Sequence, residues 1–249
     1  MTDRRKPERM QHLIITRFAV RFPEHPAPSP EWIEERFDLL ERYTAPSMRN
    51  QTVGDFEWWL QCDVATDQAV VDRLRAVAPQ VRVALVGADP GDGRAIATAD
   101  ARGWSARAHV RPGTTILVQT RLDSDDVLHP AYLADLEAEL PLFLAHGDVE
   151  WLRIAATGYQ YDSRSREIQS RFYCDGSFQS YYCRVGPDLP ARPMPSNHSR
   201  TASKVWGYAP EVRPSWIRII HGGNVMNRMD PSLPSADVDA VGREFRLDL

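Results

Sequence analysis

The run Asp123-Ser124-Asp125-Asp126 places three carboxylates in four positions, directly after the apolar stretch ILVQTRL at residues 116–122. Carboxylates this close repel and raise one another's pKa, so the cluster calls for a positive partner. One aspartate at this point would serve as a helix cap. Three exceed that need, and the carboxyl ends of strands are where open α/β sheets bind ligands. A calcium loop counted from Asp123 fails, because it lacks the mid-loop glycine and has Ala134 where a bidentate glutamate belongs. A divalent cation bridging one or two of these carboxylates to a diphosphate explains the spacing. Such an ion neutralises the charge that builds on a leaving phosphate. Relief of repulsion would then make Asp125→Ala slightly more stable when no cation is present.

The chain around the cluster narrows the choices. It has 249 residues, 43% of them hydrophobic and 26% charged, with a net charge of −4. That size and composition suit one large domain or two small ones with a real core, and they argue against wholesale disorder. Lysine occurs only at Lys6 and Lys204, so the other basic residues are arginines, which bind phosphate and carboxylate through a planar fork. A net negative chain without a basic tract is a poor nucleic-acid binder. No stretch approaches the roughly 20 apolar residues of a membrane span. The N-terminus does not read as a signal peptide, and a cytoplasmic location is expected.

Three cysteines, Cys62, Cys174 and Cys183, form neither a disulfide framework nor a zinc spacing. REIQSRFYCDGSFQSYYCRVG alternates on either side of Asp175-Gly176, a hairpin signal. In that register Cys174 faces Ser177 and Cys183 faces Ile168, which keeps the two thiols apart.

The elements that must position the aspartates alternate between strand and helix. HLIITRF reads as a buried strand. SPEWIEERFDLLERYTAPS reads as a helix begun by Ser29 and Pro30, with Trp32, Ile33, Arg36, Phe37 and Leu40 at helical spacing, and stopped by Pro46. FEWWLQCD is a second strand. TDQAVVDRLRAVAPQ is a helix capped by Thr66 or Asp67, and VRVALVGA is a third strand. A short helix is expected at 94–100. TTILVQTRL is the fourth strand, and HPAYLADLEAELPLFLAH the following helix. This order implies a parallel sheet with helices on its faces.

Beyond residue 148, EWLRIA, GYQYD, REIQSRFY and FQSYYCRV read as strands with almost no helix between them. A proline-rich loop with a short helix at 197–205 leads to a last strand, WIRIIHGGNV. The expected organisation is a flexible N-terminus at 1–10, one domain at 11–227 and an exposed C-terminal tail at 228–249.

RLDSDDVLHP, in its place after the fourth strand, resembles the DxD region of glycosyltransferases of the GT-A fold. HLIITRFAVRF and IIHGGNV are similar, more narrowly, to segments of the bacterial family of putative rhamnosyltransferases. The resemblance implies a Rossmann-like mixed sheet flanked by helices, with an antiparallel C-terminal part. It also implies an inverting hexosyl transfer from a dTDP-, UDP- or GDP-linked sugar to a glycan or small-molecule acceptor, assisted by Mn²⁺ or Mg²⁺. Asp125 would be the principal metal ligand and Asp123 a ribose or metal contact, with His221 returning to the metal or the diphosphate, and Asp126 would either support those ligands from behind or face the sugar. Arg17, Arg21, Asp63, Arg121 and Asp123 would line the nucleotide. The proton acceptor would be His198 or Asp162, since SNHSR carries no acid where the family usually places a Glu-Asp pair.

Three other readings compete. ILVQTRLDSDDV fits the nucleophile motif of haloacid dehalogenase-type phosphatases, but no downstream lysine and acidic pair accompany it in the right places. VGADPGDG resembles a methyltransferase glycine turn, although it follows the third strand rather than the first. A non-catalytic nucleotide or glycan binder on the same fold is the remaining alternative. The aromatics Trp58, Trp59, Trp206, Tyr208 and Trp216 are sugar-stacking candidates and, for the most part, expected core residues.

Overall fold

The computed structural model describes residues 8–20, 28–86, 109–147, 149–173, 178–191, 194, 207–208, 213–222 and 228–249. Arg21, Cys174, Asp175, Gly176, His198, Lys204 and Trp206, the side chain of Tyr208 and the helices expected at 94–100 and 197–205 lie outside the described residues.

The first strand, β1 (Met10–Ala19), is central. Its Leu13 and Ile14 are fully buried on opposite faces of the sheet. That two-sided burial is why HLIITRF reads as a continuous apolar run rather than an alternating one. β1 pairs in parallel with β2 (Phe56–Asp63) on one side and with β4 (Ile116–Arg121) on the other, and β2 pairs in parallel with β3 (Val81–Val86).

Helix α1 (Pro30–Leu39) starts as the sequence implies. The Ser29 hydroxyl accepts the Trp32 amide, and Pro30 stands where no amide is needed. Pro46 does not stop the helical path. A π-helical turn, Leu40–Thr44, leads into α2 (Ala45–Arg49), with Pro46 in its first turn. The wider turn relieves the clash and missing donor that proline brings to a regular helix. Helix α3 (Gln68–Ala76) is capped by the Asp67 carboxylate. The helix expected after β4 is two helices, α4 (Tyr132–Ala138) and α5 (Leu140–His146), divided at Pro141.

The C-terminal half redistributes the strands. β6 (Glu150–Ile154) and β9 (Gln179–Arg184) join the first sheet, with β9 antiparallel to both β4 and β6. With β10 (Gly207–Tyr208), that sheet runs β10-β6-β9-β4-β1-β2-β3 among the described residues. A second sheet runs β5-β11-β7-β8, built from β5 (Asp126–Leu128), β11 (Trp216–Ile220), β7 (Thr157–Asp162) and β8 (Glu167–Phe172).

The hairpin expected across Asp175-Gly176 is therefore wrong. β8 pairs with β7, and Cys183 lies opposite Leu117 and Glu150 rather than Ile168. The real hairpin turn comes one element earlier. There the Asp162 carboxylate accepts the Arg164 and Ser165 amides, and Arg166 takes a left-handed conformation with φ of 60°. Cys62 and Cys183 are buried and form no disulfide.

The C-terminal segment is not an exposed tail. Helix α6 (Val238–Phe245) is capped by Asp237, and Val241, Phe245 and Leu249 are buried. They close a core with Val127, Tyr161, Ile168, Ile217 and Ile219 of the second sheet. The rod formed by α1, the π turn and α2 is shared. Phe37, Leu40 and Met48 enter the core of the first sheet, while Leu39 and Tyr43 enter that of the second. Among the described residues no helix is long and apolar enough to cross a membrane.

Candidate active site

The aspartates sit at the seam between the two sheets. β4 ends at Arg121 in the first sheet, and β5 starts at Asp126 in the second. The chain changes sheets through Leu122–Asp125, and the Asp126 amide donates to the Asp123 carbonyl to tighten that passage. Ser124, Asp125 and Asp126 are buried; Asp123 is partly exposed.

The positive partner is Arg36, from the second half of α1. Its Nη1 donates to Asp125 Oδ2 at 3.1 Å, and its Nη2 lies 3.0 Å from Asp125 Oδ1. Nη2 also donates to the Ser124 hydroxyl at 2.6 Å. His221, just past β11, brings Nε2 to 3.0 Å from Asp125 Oδ2, while its Nδ1 faces Glu35 Oε1 at 3.6 Å. Burial alone would raise the Asp125 pKa. The hydrogen bond to His221 and the Arg36 guanidinium outweigh it and hold the group at about 2. Asp125 is thus a carboxylate already neutralised from two sides.

Asp126 goes the other way. Burial and the neighbouring Asp125 charge push it well above the ordinary carboxylate range, against the pull of Arg218, and Asp123 adds to the rise. Arg218 is its direct cross-strand partner on β11. That guanidinium lies near three rings, 5.4 Å from Tyr173, 5.5 Å from Phe178 and 5.6 Å from Trp216. Trp216 and Phe178 stack at 4.4 Å and 6°. Gly158 makes room for the indole, since a Cβ there would come within 2.2 Å of it.

The structure places His221 against Asp125, and Asp126 within the field of both Asp125 and Asp123. It does not join Asp123, Asp125 and His221 into a metal centre. Among the described residues no group of three or more His, Cys, Asp or Glu side chains is arranged around one ion. Both Asp125 oxygens face Arg36, and the His221 nitrogen faces Asp125. The donors have the right chemistry for a hard cation but are turned to a guanidinium instead. The stability expected of Asp125→Ala is revised for the same reason: the variant would strand Arg36 rather than relieve repulsion.

Arg17, Asp63 and Arg121 stand toward the carboxyl ends of β1, β2 and β4, along one edge of the parallel strands. Asp63 accepts the Ala65 amide at 2.8 Å. Asp162, expected as a proton acceptor, is occupied by its turn. Burial raises its pKa, but the Arg164 and Ser165 amides lower it further, so it stays ionised. Its turn abuts the site, because a Cβ on Gly222, with φ of +84°, would meet Arg164 Nη1 at 2.8 Å. Trp58 and Trp216 are fully buried core residues.

Sequence reasoning missed Arg36 and Arg218. Each had a signal: Arg36 falls on the apolar stripe of its helix, and Arg218 interrupts the otherwise apolar strand WIRII. A charge on a buried face needs a buried partner.

No curated protein matches this chain. S. aureus TarS 1-349 is similar at 12% identity and a TM-score of 0.43, covering 84% of this chain and 60% of that one. This chain therefore spans about three-fifths of the TarS chain it is aligned with. A structure described as a putative nucleotide-diphospho-sugar transferase from Desulfovibrio desulfuricans G20 is similar at 13% identity and a TM-score of 0.36, covering 86% of this chain and 80% of that one. Mouse xyloside xylosyltransferase 1 follows at 15% identity and a TM-score of 0.31, covering 59% and 53%. The family described as Putative rhamnosyl transferase matches residues 27–232, a span that holds α1 with Arg36, the carboxylate seam, the whole second sheet and His221. On that match the chain belongs to the rhamnosyl transferase family so described.

Proposed function

We propose that the protein is a glycosyltransferase of GT-A type that moves a sugar, rhamnose by its family, from a nucleotide-sugar donor to an acceptor hydroxyl. The family match supports the class of reaction. The observation that carries the site is the carboxylate seam at the end of β4, flanked by arginines at the ends of the parallel strands. In an inverting transfer the acceptor oxygen bonds to the anomeric carbon as the bond to the diphosphate breaks. The nucleoside diphosphate leaves, and the hydroxyl proton passes to a base. Asp162 is committed to its turn, which leaves His198 as the candidate base.

The charge on the leaving group needs a positive counterpart. Arg17 and Arg121 are the arginines on the strand ends that the nucleotide would approach. A Mn²⁺ or Mg²⁺ ion would bind Asp123, Asp125 and His221 only if the Arg36 guanidinium left Asp125. The second reading, a nucleotide or glycan binder without catalysis, is favoured by the engagement of Asp162 in its turn.

Thermal stability measured with dTDP, UDP and GDP, each with and without Mn²⁺, tests the proposal. A ligand at 100 times its Kd stabilises by roughly 2.7 kcal/mol, an easily read shift. Stabilisation by one nucleotide in wild type, lost in Asp125→Ala, is the expected result. No shift with any nucleotide in either condition refutes it. Dependence on Mn²⁺ would show that Arg36 gives way to a cation. Release of free sugar from the donor then separates enzyme from binder.

A further inference from the structure

The second sheet has two unlike faces. On one, Val127, Ile217, Ile219, Tyr161 and Ile168 pack against Val241 and Phe245 of the C-terminal segment. On the other lies a row of polar residues. Arg218 is opposite Asp126 on one side and Gln160 on the other, and Gln160 is opposite Gln169. Directly opposed residues share a face, so these four side chains form one line across all four strands. All four are at most 8% exposed: Asp126 4%, Arg218 8%, Gln160 1% and Gln169 7%. Burial fixes the row as a rigid spacer that starts at the carboxylate seam.

The row meets a concavity at Gln160, its third member. Gln160 and Arg171 line this space of about 340 Å³ with Tyr173, Arg228 and Asp230, and Met229 and Pro231 complete its wall. Arg171 Nε donates to Gln160 Oε1, and its Nη1 lies 3.7 Å from Asp230 Oδ2. The Tyr173 ring lies near two guanidiniums, that of Arg171 at 5.3 Å and that of Arg218 at 5.4 Å. Arg228 is exposed and makes no ion pair among the described residues. Two arginines against one carboxylate give the lining a net positive charge. Guanidinium forks, an amide and a phenol ring recognise oxyanions and sugar-like hydroxyls rather than apolar groups. Gln160 is two strand spacings from Asp126, roughly 10 Å.

We infer that the concavity between Arg171 and Arg228 is an acceptor subsite that takes an oxyanion, a carboxylate or phosphate carried by the acceptor. That the anion belongs to an acceptor rests on the sugar-transfer reading. The site itself rests on the second sheet, whereas the nucleotide would approach the strand ends of the first. An acceptor held by its anion here would have a neighbouring part within reach of the seam.

The test is titration of glucuronate, inorganic phosphate and uncharged glucose into wild type, Arg228→Ala and Arg171→Gln, at constant ionic strength, read by calorimetry. Glucuronate or phosphate should bind wild type, and glucose should bind more weakly. Arg228→Ala should weaken the anion by about tenfold, the scale of one charge-assisted hydrogen bond. A response to phosphate alone assigns a phosphorylated acceptor, and a response to glucuronate an acidic sugar; both support the site. Absence of anion binding in wild type, or equal affinity in Arg228→Ala, overturns it. So does displacement of the anion by saturating nucleoside diphosphate, which would place both in one site. A wild type that binds glucuronate through Arg228 but binds no nucleoside diphosphate keeps this site and sinks the transferase reading.

Discussion

Replacing Arg36 by alanine takes the guanidinium away from Asp125 while the carboxylate stays buried. The side chains of the pair are 14% and 11% exposed, so water compensates little of the loss. In the folded protein Asp125 is held at about 2 against an ordinary 3.8. At about 1.4 kcal/mol per pKa unit, the net of its burial and its partners is worth roughly 2–3 kcal/mol at neutral pH. Removing one partner of a fully buried pair costs about 3–5 kcal/mol. His221 remains on Asp125, so we expect Arg36→Ala to lose about 2–3 kcal/mol at pH 7, or about 5–10 °C in Tm for a chain of this size.

The pH dependence has a definite sign. A depressed carboxylate adds stability that is complete above its unfolded pKa and is lost as pH falls through the folded value. The gap between wild type and Arg36→Ala should therefore be full at pH 7 and shrink between about pH 4 and 2. Urea denaturation at pH 7, 4 and 3 reads it directly. Asp125→Ala should be destabilised to a similar extent, and the double variant by less than the sum of the two. If Arg36→Ala unfolds within about 0.5 kcal/mol of wild type at pH 7, or if the gap does not narrow on acidification, the ion pair does not hold the seam.

Three further expectations test the frame around the site. Gly158→Ala should destabilise strongly and disturb Trp216 fluorescence, because the added Cβ would lie 2.2 Å from the indole and 2.5 Å from backbone; a variant with wild-type Tm and emission would contradict the packing. Phe245→Ala should cost about 3–5 kcal/mol in chemical denaturation, since that ring closes the second core; a loss below about 0.5 kcal/mol would restore the exposed tail. His129 accepts the Ala131 amide at Nδ1, and burial lowers its pKa to about 4, so the folded state resists its protonation. Wild type should lose stability as pH falls from about 6.5 to 4, and His129→Gln should flatten that slope; parallel slopes would remove His129 as the cause.

Much of the fold is legible in the sequence because local rules fix it. Period and capping identify α1, α3 and the four parallel strands, since a buried parallel strand reads as an unbroken apolar run and Ser29 and Asp67 cap the helices they precede. The sequence also determines that three aspartates meet at a strand end, because they are neighbours in the chain. Partnership is what it leaves open. Asp175-Gly176 carries a strong turn signal, yet β8 and β9 belong to different sheets, because β9 finds two neighbours in the first sheet and β8 is already paired by the Asp162 turn. Residues 238–249 look polar enough for a tail, and only the second sheet supplies the apolar face that orders them. The counter-charge is the sharpest case. Arg36 lies 89 residues before Asp125 and His221 lies 96 after it, so no local pattern links them. The same three aspartates demand a positive partner in either description; tertiary structure decides that a guanidinium from α1 meets that demand, because the rod of α1 runs between the two cores and delivers Arg36 to the seam.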